Sequence, residues 1–324
     1  MSTKDGKSKE YMADNARFAD LCNYVLYDGK RVIKPENLEE RDTTEVLSVF
    51  GIDKKQIVEQ KWRDLLKRVE IRYTGNAYIV LMGIESQSHI HYAMPVKNMI
   101  YDALCYGKQV NEAKRKHDRL KDYDTSDDFM SGFDKEDRLT PVVTITLYLG
   151  TKKWDGPRCL KDMLADTDEA VLSYVSDYNI NLVDPREIQD FSKFKTELKQ
   201  LLEVLQSTSD KTKMHDILQQ DPAFKQLDKE TVAAINMFAG TNMKIDEKAK
   251  VIDMCKAWED AITEGKEAGK IEGKLEGKAE GIIKIGKKYN ISKEKILIDL
   301  QEELEISDSQ AQEYYDQYTE NALA

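Results

Sequence analysis

The stretch WRDLLKRVEIRYTGNAYIVLMGIESQ, residues 62–87, contains two strand-like runs on either side of the three residues TGN. Val, Ile and Tyr are common in strands, whereas Gly and Asn are common in tight turns, so the stretch predicts an antiparallel β-hairpin. Each outer end of this hairpin carries a carboxylate, Asp64 at the start and Glu85 near the finish. The length of the turn decides whether the two carboxylates meet.

A two-residue turn can use either the residues TG or the residues GN. The first choice places Asp64 opposite Glu85, and the second places Asp64 opposite Gln87. Because side chains alternate between the two faces of a sheet, both choices put these three side chains on one face. A three-residue turn would instead set Asp64 opposite Ser86 and separate the carboxylates.

Two carboxylates on opposed residues repel each other, because their Cβ atoms lie only about 5 Å apart. A divalent cation between them removes this repulsion, and ligands that are all oxygen suit Mg²⁺ or Mn²⁺. Such an ion can activate a water molecule for attack on a phosphodiester. The alternative interpretation is that Asp64 and Glu85 are solvated strand ends that share no ion.

The composition of the 324-residue chain restricts its class. Its 60 acidic and 49 basic residues give a net charge of −11, which argues against a general nucleic-acid coat but allows a local basic cleft. Its four cysteines form no CxxC pair, which argues against a zinc ribbon or a disulfide framework. Because the sequence has no signal-like start and no run of about 20 apolar residues, we expect a soluble cytoplasmic protein with no membrane partner.

Four blocks occur in the order RDLLKRVEI, YIVLMGIESQS, MPVKNMIYDALCY and LTPVVTITLYLGTKKWDGP. Together they resemble the recombination-promoting nuclease, or transposase-like, family of bacteria, which belongs to the PD-(D/E)XK nuclease superfamily. The likeness covers about residues 12–262. It implies an α/β fold with a restriction-endonuclease-like core, α-β-β-β-α-β, in which helices flank a mixed sheet and a helical C-terminal region follows.

The resemblance also implies the site residues. Asp64 matches the catalytic aspartate, and Glu85 and Gln87 match the E-x-Q form of the second motif, so Asp64 and Glu85 would hold Mg²⁺ or Mn²⁺. Gln87 stands where the superfamily most often has lysine, and a neutral amide can orient water but cannot supply a positive charge. Lys97 and Tyr101 match a basic residue and an aromatic residue near the site. The basic residue is more usually arginine, and lysine cannot form the bidentate hydrogen bonds of a guanidinium group. The alternative is that Lys97 and Tyr101 are an ordinary helix surface and core edge.

Other segments predict the surroundings of this site. The segment NARFADLCNYVLYDG, residues 15–29, has helical apolar spacing, and a second helix is predicted from Pro95 through Val110. The basic run KRKHDRLK suggests contacts with the DNA backbone or, alternatively, a solvated helix end. The acidic segment DYDTSDDFMSGFDKEDR predicts a mobile insertion, and PVVTITLYLG predicts a strand that is covered on both faces.

The repeat EGKEAGKIEGKLEGKAEG places five glycines four residues apart, with rows of glutamate and of lysine at the same spacing. Like charges four apart do not stabilise a lone helix, so the pattern suggests either self-association into a homo-oligomer or a frayed linker. We therefore predict three regions: a nuclease-like core at 1–160, a helical extension that packs on it at 161–262, and a repeat helix with a short helical tail at 263–324.

These observations predict a metal-dependent DNA endonuclease that hydrolyses phosphodiester bonds in recombination or mobile-element biology. Two alternatives remain at this stage. One is a catalytically silent DNA-binding relative, which the glutamine at position 87 favours. The other is a structural interaction protein that assembles through its helical C-terminal half, which the acidic net charge favours.

Overall fold

The computed structural model describes residues 3–41, 44–46, 60–62, 64–73, 76–246 and 248–320. The chain forms two compact units, Met1–Cys255 and Lys256–Ala324. Within the described ranges, no helix combines the length and the apolar composition that crossing a membrane requires.

The described residues form nine strands and eleven α-helices. The strands are β1 (Leu38–Glu40), β2 (Thr44–Val46), β3 (Gln60–Trp62), β4 (Leu65–Tyr73), β5 (Asn76–Gln87), β6 (Val142–Tyr148), β7 (Asn181–Val183), β8 (Leu227–Asp228) and β9 (Val251–Ile252). The helices are α1 (Thr3–Met12), α2 (Asn15–Tyr27), α3 (Met94–Leu120), α4 (Ser126–Ser131), α5 (Glu169–Leu172), α6 (Leu198–Ser207), α7 (Lys211–Gln220), α8 (Lys229–Ala239), α9 (Met254–Lys288), α10 (Lys293–Leu304) and α11 (Asp308–Glu320).

The main sheet is mixed and has the strand order β1-β4-β5-β6-β7. Strands β4 and β5 pair antiparallel from Leu65 opposite Ile84 to Tyr73 opposite Asn76, which confirms the predicted hairpin and the first of its registers. The turn residues themselves, at 74 and 75, lie outside the described residues. Strand β6 pairs parallel to β5, and β7 pairs parallel to β6. The predicted strand in PVVTITLYLG is thus confirmed as β6.

Helices α2 and α3 cover opposite faces of this sheet. Leu66 forms an apolar cluster with Cys105 of α3. The next residue, Lys67, projects from the other face, where its amine donates to the carbonyl of Ala13 at 2.6 Å and lies 4.9 Å from the ring centre of Phe18 in α2. Successive strand residues point to opposite faces, so one helix lies on each side.

Helix α2 confirms the helix predicted from apolar spacing, and its ends have a clear local cause. The Asp14 side chain accepts hydrogen bonds from the backbone N–H groups of Ala16 and Arg17, as an N-cap does. At the other end Asp28 and Gly29 adopt positive φ angles of 55° and 79°. A Cβ atom on Gly29 would come within 2.6 Å of Lys193, so only glycine fits there.

Three features differ from the sequence-based expectation. Helix α3 was predicted through Val110, but it continues to Leu120, because hydrogen bonds from the following segment support its second half. That acidic segment was predicted to be a mobile insertion, yet it contains α4 with a capping box at Thr125. The region 161–262 was predicted to be mostly helical, and it also supplies the short strand β7, which pairs with β6 through main-chain hydrogen bonds that side-chain patterns do not reveal.

The second unit is helical. Helix α9 runs through the whole Gly/Glu/Lys repeat, so the repeat is helical in this structure. Helices α10 and α11 follow and form the helical tail that the sequence predicts, and Ser292 is the N-cap of α10. An apolar cluster that includes Ile283, Ile296 and Leu300 joins the three helices.

Candidate active site

The hairpin brings two carboxylates together at one end of the sheet. Asp64 lies directly before β4, Glu85 lies near the end of β5, and their side chains are only 3% and 2% exposed. The backbone N–H of Asp64 donates to Glu85 Oε2 at 3.5 Å, and the backbone N–H of Ser86 donates to Asp64 Oδ2 at 2.9 Å. These two bonds hold the carboxylates in place across the strand pair.

Helix α3 adds a cation to this carboxylate pair. Lys97, in the first turn of α3, forms an ion pair with Glu85 Oε1. Its amine also lies 6.0 Å from the ring centre of Tyr101, which is buried one turn further along the helix. The buried carboxylate and the aromatic ring keep the positive charge of Lys97 within the site.

Gln87 completes the group of five residues. Its amide nitrogen donates to Glu85 Oε1 at 3.2 Å and to the carbonyl of Ser86 at 2.9 Å. Since the amide nitrogen faces Glu85, the amide carbonyl oxygen is directed elsewhere and can accept a hydrogen bond from another donor, such as water. The structure thus places Asp64, Glu85, Gln87, Lys97 and Tyr101 in one cluster.

Burial and charge determine how this cluster binds protons. Burial and, to a smaller extent, the charge of Glu85 raise the pKa of Asp64 to about 7. The Ser86 N–H and the amines of Lys97 and Lys9 act in the opposite sense, but they do not cancel the effect of burial. Near neutral pH the site therefore accepts either a proton or another cation.

The side-chain ligands at this site fit a hard divalent cation that keeps part of its hydration shell. Among the residues that the structure describes, no group of three or more His, Cys, Asp or Glu side chains could hold a metal ion. The carboxylate ligands that this site offers are the two from Asp64 and Glu85. Mg²⁺ is commonly bound through one or two carboxylates, with waters and substrate phosphate oxygens as the remaining ligands. The pair matches that pattern and does not match a structural zinc site.

A second layer of polar groups was missed by the sequence reasoning. Strand β6 places Thr146 next to Glu85, and the Asn98 side-chain amide donates to Thr146 Oγ1 at 2.8 Å. Both side chains are fully buried. The signal for this pair was the presence of two threonines, Thr144 and Thr146, two residues apart in the otherwise apolar β6, which marks polar positions on the face that carries Glu85.

A family model described as "Putative transposase, YhgA-like" matches residues 52–234. This is more than half of the chain, and it includes the hairpin, α3 and all five clustered residues. No curated protein and no solved structure matches the chain. The match confirms the family indicated by the four sequence blocks. This chain therefore belongs to the YhgA-like transposase family.

Proposed function

We propose that this protein is a metal-dependent DNA endonuclease that hydrolyses phosphodiester bonds during recombination or the movement of mobile elements. The observation that carries the proposal is the pair of buried carboxylates, Asp64 and Glu85, at the end of the hairpin with Lys97 beside them. A buried acidic pair is costly to maintain unless a cation is bound, so its presence argues for a function. Plasmid nicking in Mg²⁺, compared with EDTA, is the direct test.

The order of elements supports a PD-(D/E)XK core. Helix α2 precedes β1, β4 and β5 of the main sheet, and α3 then leads to β6, which gives the order α-β-β-β-α-β. The carboxylates lie on the central hairpin of this core, where nucleases of that superfamily carry theirs. The arrangement agrees with the superfamily in both the order of elements and the location of the site.

The residues of the site would have different roles in this reaction. A bound Mg²⁺ or Mn²⁺ would supply Lewis acidity and lower the pKa of an attacking water. Asp64 and Glu85 would hold the ion. Gln87 would accept a hydrogen bond from the attacking water through its amide oxygen and so orient it. Lys97 would move from Glu85 to the scissile phosphate, where its positive charge offsets the charge that develops on the phosphoryl oxygens.

Replacing Gln87 with lysine should retain or raise the cleavage rate. Lysine restores the more common superfamily pattern, and its amine can form an ion pair with Glu85 where the glutamine amide now donates. Gln87→Ala, which removes the water-orienting group, should be slower than the parent. Initial nicking rates at saturating Mg²⁺ compare the three proteins. If lysine reduced the rate as much as alanine, the assignment of Gln87 to water placement would be wrong.

A catalytically silent DNA-binding relative is the competing function. The neutral Gln87 favours it, because no positive charge stands at that position to assist the chemistry. Such a protein would bind DNA with the same affinity in Mg²⁺ and in EDTA and would leave plasmid intact at every metal concentration. The nicking assay therefore separates the two functions directly.

We also propose that α9 mediates self-association of the protein. Cβ atoms built on Gly265, Gly269, Gly273, Gly277 and Gly281 would meet no other heavy atom within 4 Å outside the helix's own backbone, so this glycine stripe faces open space. A second copy could approach the helix closely along the stripe. Its lysine row could then pair with the glutamate row of the first copy.

Opposite charge changes should test this association. Reversing Glu272 and Glu276 to lysine should lower the oligomeric mass, because each helix then presents two basic rows. Reversing Lys270 and Lys274 to glutamate should do the same. Mixing the two variants should restore the mass of the parent oligomer, as measured by light scattering. Equal masses for the parent and both separate variants would contradict pairing through this helix.

A further inference from the structure

Four basic residues lie in one row along α3. Lys97, Lys108, Arg115 and Arg119 fall within an arc of about 40° when successive residues turn by about 100°. We call these four residues the α3 basic row. The row begins in the active site at Lys97 and ends in the last turn of the helix. At about 1.5 Å per residue, it extends for roughly 33 Å.

The outer part of the row is open to solvent. Lys108, Arg115 and Arg119 are exposed, and none of them forms an ion pair with a residue that the structure describes. Glu112 is exposed at the edge of the same arc and is the acidic residue of α3 nearest to it. The row as a whole therefore keeps an excess of positive charge in a protein with a net charge of −11.

The acidic insertion after α3 is attached to another side of the helix. His117 bonds through Nδ1 to Asp122 at 2.8 Å and through Nε2 to Asp137 at 3.0 Å. Further along the insertion, Gly132 packs against the side chain of Lys114. Both anchor residues of α3 lie more than about 100° around the helix from the row. These contacts hold Asp122 and Asp137 on another side of the helix, so neither of them neutralises the row.

We infer that the α3 basic row is the track along which double-stranded DNA leaves the active site. The inference rests on the proposed function in that DNA is taken as the ligand. Buried Tyr101 and Leu104 occupy the arc between Lys97 and Lys108, so the exposed part of the row runs from Lys108 to Arg119. This part extends for roughly 16 Å, which matches about five base pairs of duplex DNA at about 3.4 Å each. A row of cations contacts phosphates without reading bases, so the track would give affinity and orientation but little sequence preference.

The test is a matched pair of charge reversals on neighbouring residues. Arg115→Glu changes the row, whereas Lys116→Glu makes the same change of charge about 100° around the helix. Binding of a fluorescent duplex of about 20 base pairs, a length that covers the row with a margin on each side, is measured by anisotropy in EDTA over a range of salt concentrations. Lys108→Glu provides a second and independent position on the row. Circular dichroism checks that each variant keeps its helices.

We expect Arg115→Glu and Lys108→Glu each to weaken binding by about tenfold and to reduce the slope of log K against log salt by about 0.9, the value for one phosphate contact. Lys116→Glu should keep the slope of the parent. Equal losses for Arg115→Glu and Lys116→Glu would overturn the track, and so would the absence of DNA binding by the parent. The nuclease proposal is tested separately by plasmid nicking. If the parent cleaves DNA but Arg115→Glu and Lys116→Glu bind it equally well, the track is wrong and the nuclease proposal stands. If binding depends on the row but no cleavage occurs, the nuclease proposal is wrong and the track stands.

Discussion

Replacing either Asp64 or Glu85 with alanine should reduce DNA cleavage by about a thousandfold or more, since each change removes one of the two charged ligands proposed for the metal. The water near the phosphate would then keep a pKa too high for attack at neutral pH. DNA affinity should change little or should rise, because a carboxylate that repels phosphate has been removed. Nicking rates and anisotropy on the same protein samples measure both quantities.

Glu70→Gln is the matched control for this prediction. Glu70 lies on β4 an even number of residues from Asp64, so its side chain projects from the same face, but it is only half-buried and pairs with Arg72 at 2.7 Å. Replacing Glu70 with glutamine removes one negative charge from the hairpin without changing the site, so the cleavage rate should stay at the parent level. Asp64→Ala protein that cuts as fast as the parent in saturating Mg²⁺ would falsify the nuclease proposal and favour the silent DNA-binding relative.

Replacing Asp64 with asparagine should stabilise the metal-free protein at pH 8 while it abolishes cleavage. Burial and, to a smaller extent, the charge of Glu85 raise the pKa of Asp64 to about 7, well above the ordinary value for an aspartate. The ionised carboxylate is therefore unfavourable in the folded state. Asparagine can still accept the hydrogen bond from the Ser86 N–H, and its amide can donate to Glu85 instead of repelling it.

The pH dependence follows from the sign of this shift. Between pH 4 and pH 7 the folded state of the parent binds more protons at Asp64 than the unfolded state does, so the free energy of unfolding falls as the pH rises. Above about pH 7 the loss is complete. Asp64→Asn lacks this titration, and its advantage at pH 8 should be about 2 kcal/mol, or roughly 4–8 °C in Tm.

Thermal unfolding in EDTA at pH 5 and at pH 8 measures this effect. The Tm difference between Asp64→Asn and the parent should be larger at pH 8 than at pH 5. Adding Mg²⁺ at pH 8 should raise the Tm of the parent and leave that of the variant nearly unchanged, because ligand binding stabilises only the protein that can bind it. A Tm difference that is independent of pH would show that the carboxylate pair is not strained in the absence of metal.

Several features of this protein could be read from local sequence patterns. The β4–β5 hairpin follows from the strand-like runs on either side of TGN, and the alternation of side chains along β5 places Glu85 and Gln87 on one face. The sequence left three registers open, and the structure has the one that pairs Leu65 with Ile84. Helix α2 follows from apolar spacing and from the caps at Asp14 and Asp28. In each case the decisive interactions join residues that are near one another in sequence or directly opposite in a hairpin.

The remaining features depend on contacts between distant parts of the chain. The ion pair between Lys97 and Glu85 requires α3 to pack across the end of β5, and the partnership of Asn98 with Thr146 requires β6 to lie beside that strand. The acidic insertion is likewise attached to His117 through hydrogen bonds with Asp122 and Asp137, and no periodic pattern in the sequence predicts these contacts. The sequence by itself determined that Glu85 and Gln87 share a face, because alternation along a strand is a local rule, but it left the length of the turn to decide whether Asp64 joins them. Only the tertiary structure decided which cations and amides surround them, because those partners come from separate elements whose relative position is set by packing.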